Sequence, residues 1–181
     1  MSKYRIHITA ELTEEKLQKG LFIFMFRASR IPPHIGIVTD GKLYDITSVG
    51  PNIDLPVKDF YKTILKRKTE VLFIELEKPV GIDLSQKITE KVREHWKVTV
   101  DTSCLSPIKD FINDVYEVDV NDVKFIFELL PILFERNLIK DVSQLNLSNK
   151  IINNCLELTK YTEKDIENCI EALSRKEKIT C

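Results

Sequence analysis

The chain has no Cys-x-x-Cys pair, no two histidines at metal-ligating spacing, no glycine-rich phosphate loop and no internal repeat. Its four cysteines, Cys104, Cys155, Cys169 and Cys181, lie too far apart in sequence for a zinc ribbon or a tight disulfide framework, and each reads as a free thiol. Nothing in the pattern calls for a metal or a cofactor. An excess of charge is also missing. With 27 Lys and Arg against 28 Asp and Glu, the formal net charge is -1, which argues against nucleic-acid binding through phosphate neutralisation. Local runs such as Lys66-Arg67-Lys68 read as solvated faces. No apolar run approaches the roughly 20 residues that cross a bilayer, and no N-terminal targeting pattern is present. The expectation is a cytoplasmic chain with no integral membrane segment.

What is present centres on residues 32–47, Pro-Pro-His-Ile-Gly-Ile-Val-Thr-Asp-Gly-Lys-Leu-Tyr-Asp-Ile-Thr. Asp40-Gly41 is the dipeptide suited to a two-residue hairpin turn, whose central residues both need positive φ. That turn sets a register of Thr39 with Lys42, Val38 with Leu43, Ile37 with Tyr44 and Gly36 with Asp45. Side chains alternate across a strand, so Ile35, Ile37, Tyr44 and Ile46 form one apolar face. His34, Gly36 and Asp45 share the other. His34 and Asp45 become diagonal neighbours, about 7–8 Å apart at the backbone, with only a glycine opposite the carboxylate. A carboxylate so placed can fix the tautomer of an imidazole and support its charged form. The alternative is that His34 opens a strand after two prolines and Asp45 is a solvated edge residue.

A chain of 181 residues can bury one substantial core, or one domain with an appendage. Residues 3–12 alternate as a strand, with His7 on its outer face, and residues 13–20 read as a short helical turn ending at Gly20. The apolar run 21–26 suits a strand buried on both faces. Gly50-Pro51 marks a loop and Pro56 a helix start, with Phe60, Ile64 and Leu65 forming the apolar stripe. A strand at 69–76 follows, then a helix capped by Asp83 or Ser85 and reaching Trp96, with His95 favourable to the dipole at its end. Beyond Val120 three helical patterns are expected, at 122–137, 143 or 148–160, and 162–178. Pro131 should kink or divide the first, and Thr162 with Asp165 approximates a capping box on the last.

Cys104 stands at or just before the helix that carries Phe111, Ile112 and Val115, where Ser103 or Ser106 can cap and Pro107 is tolerated in the first turn. A thiolate at such a helix N-terminus is stabilised by the dipole and by free backbone N–H groups, and the same groups could hold an oxyanion. The alternative is a small residue filling space beneath a cap.

Lys19-Gly20-Leu21-Phe22-Ile23-Phe24, Ser29, His34-Ile35-Gly36-Ile37-Val38, Gly41-Lys42-Leu43-Tyr44-Asp45 and Ser103-Cys104 together resemble a circularly permuted, NlpC-like family of papain-fold cysteine hydrolases. That family is related to cell-wall endopeptidases and to lecithin retinol acyltransferase-like thiol enzymes. In its permuted members the histidine strand precedes the cysteine helix, as in this chain. The resemblance covers roughly residues 15–117. It implies His34 as general base, Asp45 as the polar third member and Cys104 as nucleophile. Leu21, where the family usually has an acidic residue, Pro33 before the histidine, and Leu105-Ser106-Pro107 after the cysteine depart from the family pattern.

The expected fold is therefore α+β: a small, mostly antiparallel, papain-like half-barrel packed on the cysteine helix over residues 1–118, then a helical extension over 119–181. The expected activity is cysteine hydrolysis of a peptide, another amide or an acyl-lipid bond through Cys104, His34 and Asp45. Two further readings differ in class. One is a non-catalytic binding module with the C-terminal helices as its partner surface; the other is a scaffold whose cysteines only pack.

Overall fold

A computed structural model describes residues 2–168 together with 171 and 172. The fold is mixed α+β and is built on a six-stranded antiparallel sheet in the order β5-β4-β3-β2-β6-β7. These strands are β2 (Leu21–Phe26), β3 (His34–Thr39), β4 (Lys42–Ile46), β5 (Pro51–Pro56), β6 (Val71–Leu76) and β7 (Ile139–Leu145). A separate antiparallel ribbon joins β1 (Lys3–His7) to β8 (Cys155–Thr159).

Both faces of the main sheet are covered, which explains why β2 is an unbroken apolar run. Its alternate residues Phe22 and Phe24 pack with Leu17 of α1 (Glu14–Lys19) and with Val57 and Ile64 of α2 (Val57–Arg67). Leu21, Ile23 and Met25 join a larger core on the other face. That core contains buried residues of α3 (Leu84–His95), α4 (Ser106–Tyr116) and α5 (Ile126–Glu135), together with Ile6, Leu156 and Leu158 from the ribbon.

The hairpin forms in the expected register, with Thr39 opposite Lys42, Val38 opposite Leu43 and Ile37 opposite Tyr44. Asp40 and Gly41 have φ of 50° and 72°, the positive values that the tight turn requires. Ile35, Ile37, Tyr44 and Ile46 are buried in the larger core, as their alternation predicts. Asp83 caps α3 by accepting from the Gln86 N–H at 2.9 Å. Thr162 and Asp165 make the reciprocal bonds of a capping box, with Thr162 N–H donating to Asp165 at 2.8 Å and Asp165 N–H to Thr162 Oγ1 at 3.3 Å. That segment is helical at 163–168 and 171–172, and its expected continuation lies outside the described residues.

Three expectations are corrected. The loop expected after Gly50 is the edge strand β5, whose end residues Pro51 and Pro56 sit where a missing N–H is tolerated. Pro131 does not divide its helix, since α5 runs through it.

The largest correction concerns residues 119–181, expected as a helical extension: β7 hydrogen-bonds to β6 in the main sheet, and β8 pairs with β1. Asn137, Asn146, Asn153 and Asn154 all have positive φ, between 52° and 62°, and mark turns that interrupt any helix there. Asparagine tolerates that backbone region better than other non-glycine residues. The alternation of β8, with Leu156 and Leu158 inward and Glu157 outward against Lys3 and Arg5, is a strand period. Of the three expected helical patterns the first forms as α5 and the third begins as helix, whereas the segment between them is strand and turn. Among the described residues no helix is long and apolar enough to cross a membrane.

Candidate active site

His34 opens β3 and Asp45 lies near the end of β4, on the same face of the hairpin. Their side chains meet at 2.7 Å, His34 Nε2 to Asp45 Oδ2. Gly36, two residues along β3, has no room for a side chain, since a Cβ there would meet the Phe24 ring and the Tyr44 carbonyl oxygen. Phe24 also packs near the imidazole, with ring centroids 6.1 Å apart. The carboxylate is 7% exposed and the imidazole 33% exposed, so the pair is shielded on one side and open to a ligand on the other.

The second oxygen of the carboxylate is also engaged. Asn52 on β5 donates from Nδ2 to Asp45 Oδ1 at 2.7 Å. Asn52 carried no signal in the sequence, because its contact depends on a strand that the prolines disguised.

Cys104 comes from the segment leading into α4 and is half-buried. It lies close enough to the His34 ring to help raise that ring's pKa. Since Nε2 holds Asp45, Nδ1 is the ring nitrogen left for the sulfur. Burial by itself would lower the His34 pKa. The hydrogen bond to Asp45, then the neighbouring Cys104, then the Asp45 charge reverse the effect and push it up to about 10 from 6.5. The charged form of the ring is therefore favoured beside the Asp45 carboxylate. Burial first, then the electrostatic influence of Cys104 and Glu128, raises the Tyr161 hydroxyl above the ordinary tyrosine range.

The approach to α4 is fixed by short bonds. Val98 N–H donates to the Thr47 carbonyl at 2.9 Å, which ties the cysteine segment to the end of the hairpin. Ser103 N–H donates to Ser106 Oγ at 3.1 Å, and Leu105 N–H to Ser103 Oγ at 3.2 Å. Both serines thus order the turn, one on each side of Cys104, although Leu105 is the capping residue of α4.

Of the three residues singled out in the sequence, His34 and Asp45 are in direct contact and Cys104 lies close to the ring. The other histidines are elsewhere. His7 is exposed on β1, and His95, in the last turn of α3, pairs with Asp110 of α4 at 2.7 Å. Cys155 lies on β8, not in a helix, and Cys169 and Cys181 lie outside the described residues. No group of three or more His, Cys, Asp or Glu side chains is arranged to hold a metal ion among the described residues. A depression of about 370 Å³ lined by Lys19, Glu75 and Lys140 holds neither thiol nor imidazole, and its Glu75 is paired with Lys140 at 3.1 Å. The residue types that meet there, more than volume, therefore mark the Cys104 cluster as the candidate site. Comparison with known proteins finds no matching family model, no matching curated protein and no matching solved structure.

Proposed function

We propose that the chain is a cysteine hydrolase, a peptidase, amidase or acyl hydrolase or transferase, that works through an acyl-enzyme on Cys104. The observation that carries this reading is the His34 ring bonded to Asp45 with Cys104 close by. The sequence resemblance to permuted NlpC-like, papain-fold thiol enzymes agrees with it, including the order of histidine strand before cysteine helix.

In this mechanism the Cys104 proton resides on His34 before attack, as part of a sulfur anion–imidazolium pair, and the sulfur anion attacks a carbonyl carbon. A carbon–sulfur bond forms while the carbonyl π pair moves onto oxygen. Backbone N–H groups at the start of α4 would receive that oxyanion. The intermediate then collapses, the bond to the leaving nitrogen or oxygen breaks, and His34 supplies the proton that group needs. A thioester remains on Cys104. Water, or another acceptor, then attacks it with His34 as base, and the acid leaves. Asp45 orients the ring and supports its charge without itself taking the proton. Substrates are peptide, other amide or acyl-lipid bonds, and the cytoplasm is the proposed location.

The test is alkylation with iodoacetamide across pH, with the modified cysteines identified by peptide mass spectrometry. Cys104 should react well ahead of Cys155, and the preference should vanish in His34→Ala. Uniform slow labelling of every cysteine would overturn the reading and favour a non-catalytic module. Incubation with amide, ester and thioester libraries, followed by intact mass measurement, should show an acyl adduct that Cys104→Ala abolishes.

A further inference from the structure

We infer that Asn52 is a positioning residue of the Cys104–His34–Asp45 relay, holding the Asp45 carboxylate in the one rotation that aims it at the imidazole. This rests on the cysteine-hydrolase reading and adds a fourth residue to it. A carboxylate turns easily about its last torsion, where the energy wells are broad. Held through one oxygen, it can swing. Asp45 is held through both, with Oδ2 at 2.7 Å from His34 and Oδ1 at 2.7 Å from Asn52. Because a carboxylate only accepts, the Asn52 amide must face it with its nitrogen.

The backbone is irregular at the place that creates this contact. Between β4 and β5 Lys42 pairs with Pro56 and Leu43 with Leu55, and that register continued would put Ile53 opposite Asp45. The register shifts between Leu43 and Asp45, and Asn52 takes the place instead. Asp54 has a φ of 59° within the irregularity. It accepts from the Tyr44 hydroxyl at 2.7 Å and pairs with Lys42 at 3.2 Å. The slip exchanges an aliphatic neighbour for an amide donor, the kind of re-aiming that strand bulges provide near active sites. A neutral donor also suits the task. A lysine or arginine at the same place would orient Asp45 but compensate its charge, whereas Asn52 leaves that charge for His34.

The experiment compares the full chain with Asn52→Ala and Asn52→Asp, reading the pH profile of Cys104 alkylation and the NMR titration of His34. Asn52→Ala should slow alkylation of Cys104 at neutral pH about tenfold or more, the scale of one charge-assisted hydrogen bond. It should also lower the His34 titration point. Asn52→Asp is isosteric, which preserves the test if the alanine variant folds poorly. Ionised, it repels Asp45; as pH falls the two carboxylates share a proton, the donor returns, and alkylation recovers relative to wild type. A residue that merely filled space would give no such acid recovery. Wild-type rates and titration in both variants, or an Asn52→Asp profile that falls in parallel with wild type at every pH, would overturn the role of Asn52 while leaving the hydrolase reading intact. A wild-type Cys104 no more reactive than Cys155, with His34 titrating normally, would overturn both.

Discussion

Asp45→Asn probes the relay at its most buried member, because it keeps shape and removes charge. The new amide still accepts from Asn52 through its oxygen, but turns its nitrogen toward His34 Nε2. The ring must then accept there and carry its proton on the nitrogen facing Cys104, a tautomer that cannot take a proton from the thiol. The rise from 6.5 to about 10 in wild type corresponds to about 5 kcal/mol of preference for the charged ring, at ~1.4 kcal/mol per pH unit. Asp45 supplies the largest of the effects that raise it, against burial, which opposes. Its loss should lower the His34 titration point and remove a substantial part of that preference. Linkage gives a second readout. A pKa raised on folding stabilises fully below the unfolded value near 6.5, and the contribution fades as pH climbs to about 10. Wild type should thus exceed Asp45→Asn most at pH 6, by about 2–3 kcal/mol once screening of a ring one-third exposed is allowed for, and least at pH 10. NMR titration of the imidazole and urea denaturation at the two pH values supply both measurements. A wild-type ring titrating near 6.5, or a difference that grows with pH, would refute the reasoning.

Gly36→Ala should lower stability by about 1–3 kcal/mol and slow Cys104 alkylation, since the added methyl meets the Phe24 ring and the Tyr44 carbonyl beneath the His34–Asp45 contact; denaturation and labelling of one sample test both. Leu133→Ala, in a fully buried position of α5, should cost about 2–5 kcal/mol, whereas Phe134→Ala, with its side chain 71% exposed, should cost under about 1 kcal/mol. Equal costs in urea denaturation would contradict the helix orientation. A chain ending at residue 118 loses β7, β8 and α5 and leaves the edge of β6 bare, so it should not give a cooperative unfolding transition by circular dichroism. A cooperative transition would show that residues 119–181 are dispensable for the core.

Half of the candidate site was legible because it is local. His34 and Asp45 are eleven residues apart on one hairpin, and a two-residue turn transmits its register to every pair along the strands. Cys104 was legible only as a thiol before a helix. Asn52 was not legible, since a register shift in a strand bounded by two prolines places it. Residues 139–159 misled for a related reason. Their Leu, Ile and Val spacing fits helix and strand alike over so short a span, and the asparagines that decide the matter do so through backbone angles that the residue name only permits.

The sequence by itself therefore determined the elements whose geometry closes within a few residues: the Asp40-Gly41 turn and its hairpin, the Asp83 and Thr162 caps, and the apolar run of β2. Only the tertiary structure decided that the segment before α4 returns to the hairpin's mouth, that β7 and β8 are strands, and that an amide backs the carboxylate. Turns and caps are settled by torsions and hydrogen bonds among neighbours in the chain. The meeting of groups seventy positions apart is settled by which apolar faces can be buried together, and that depends on every element at once.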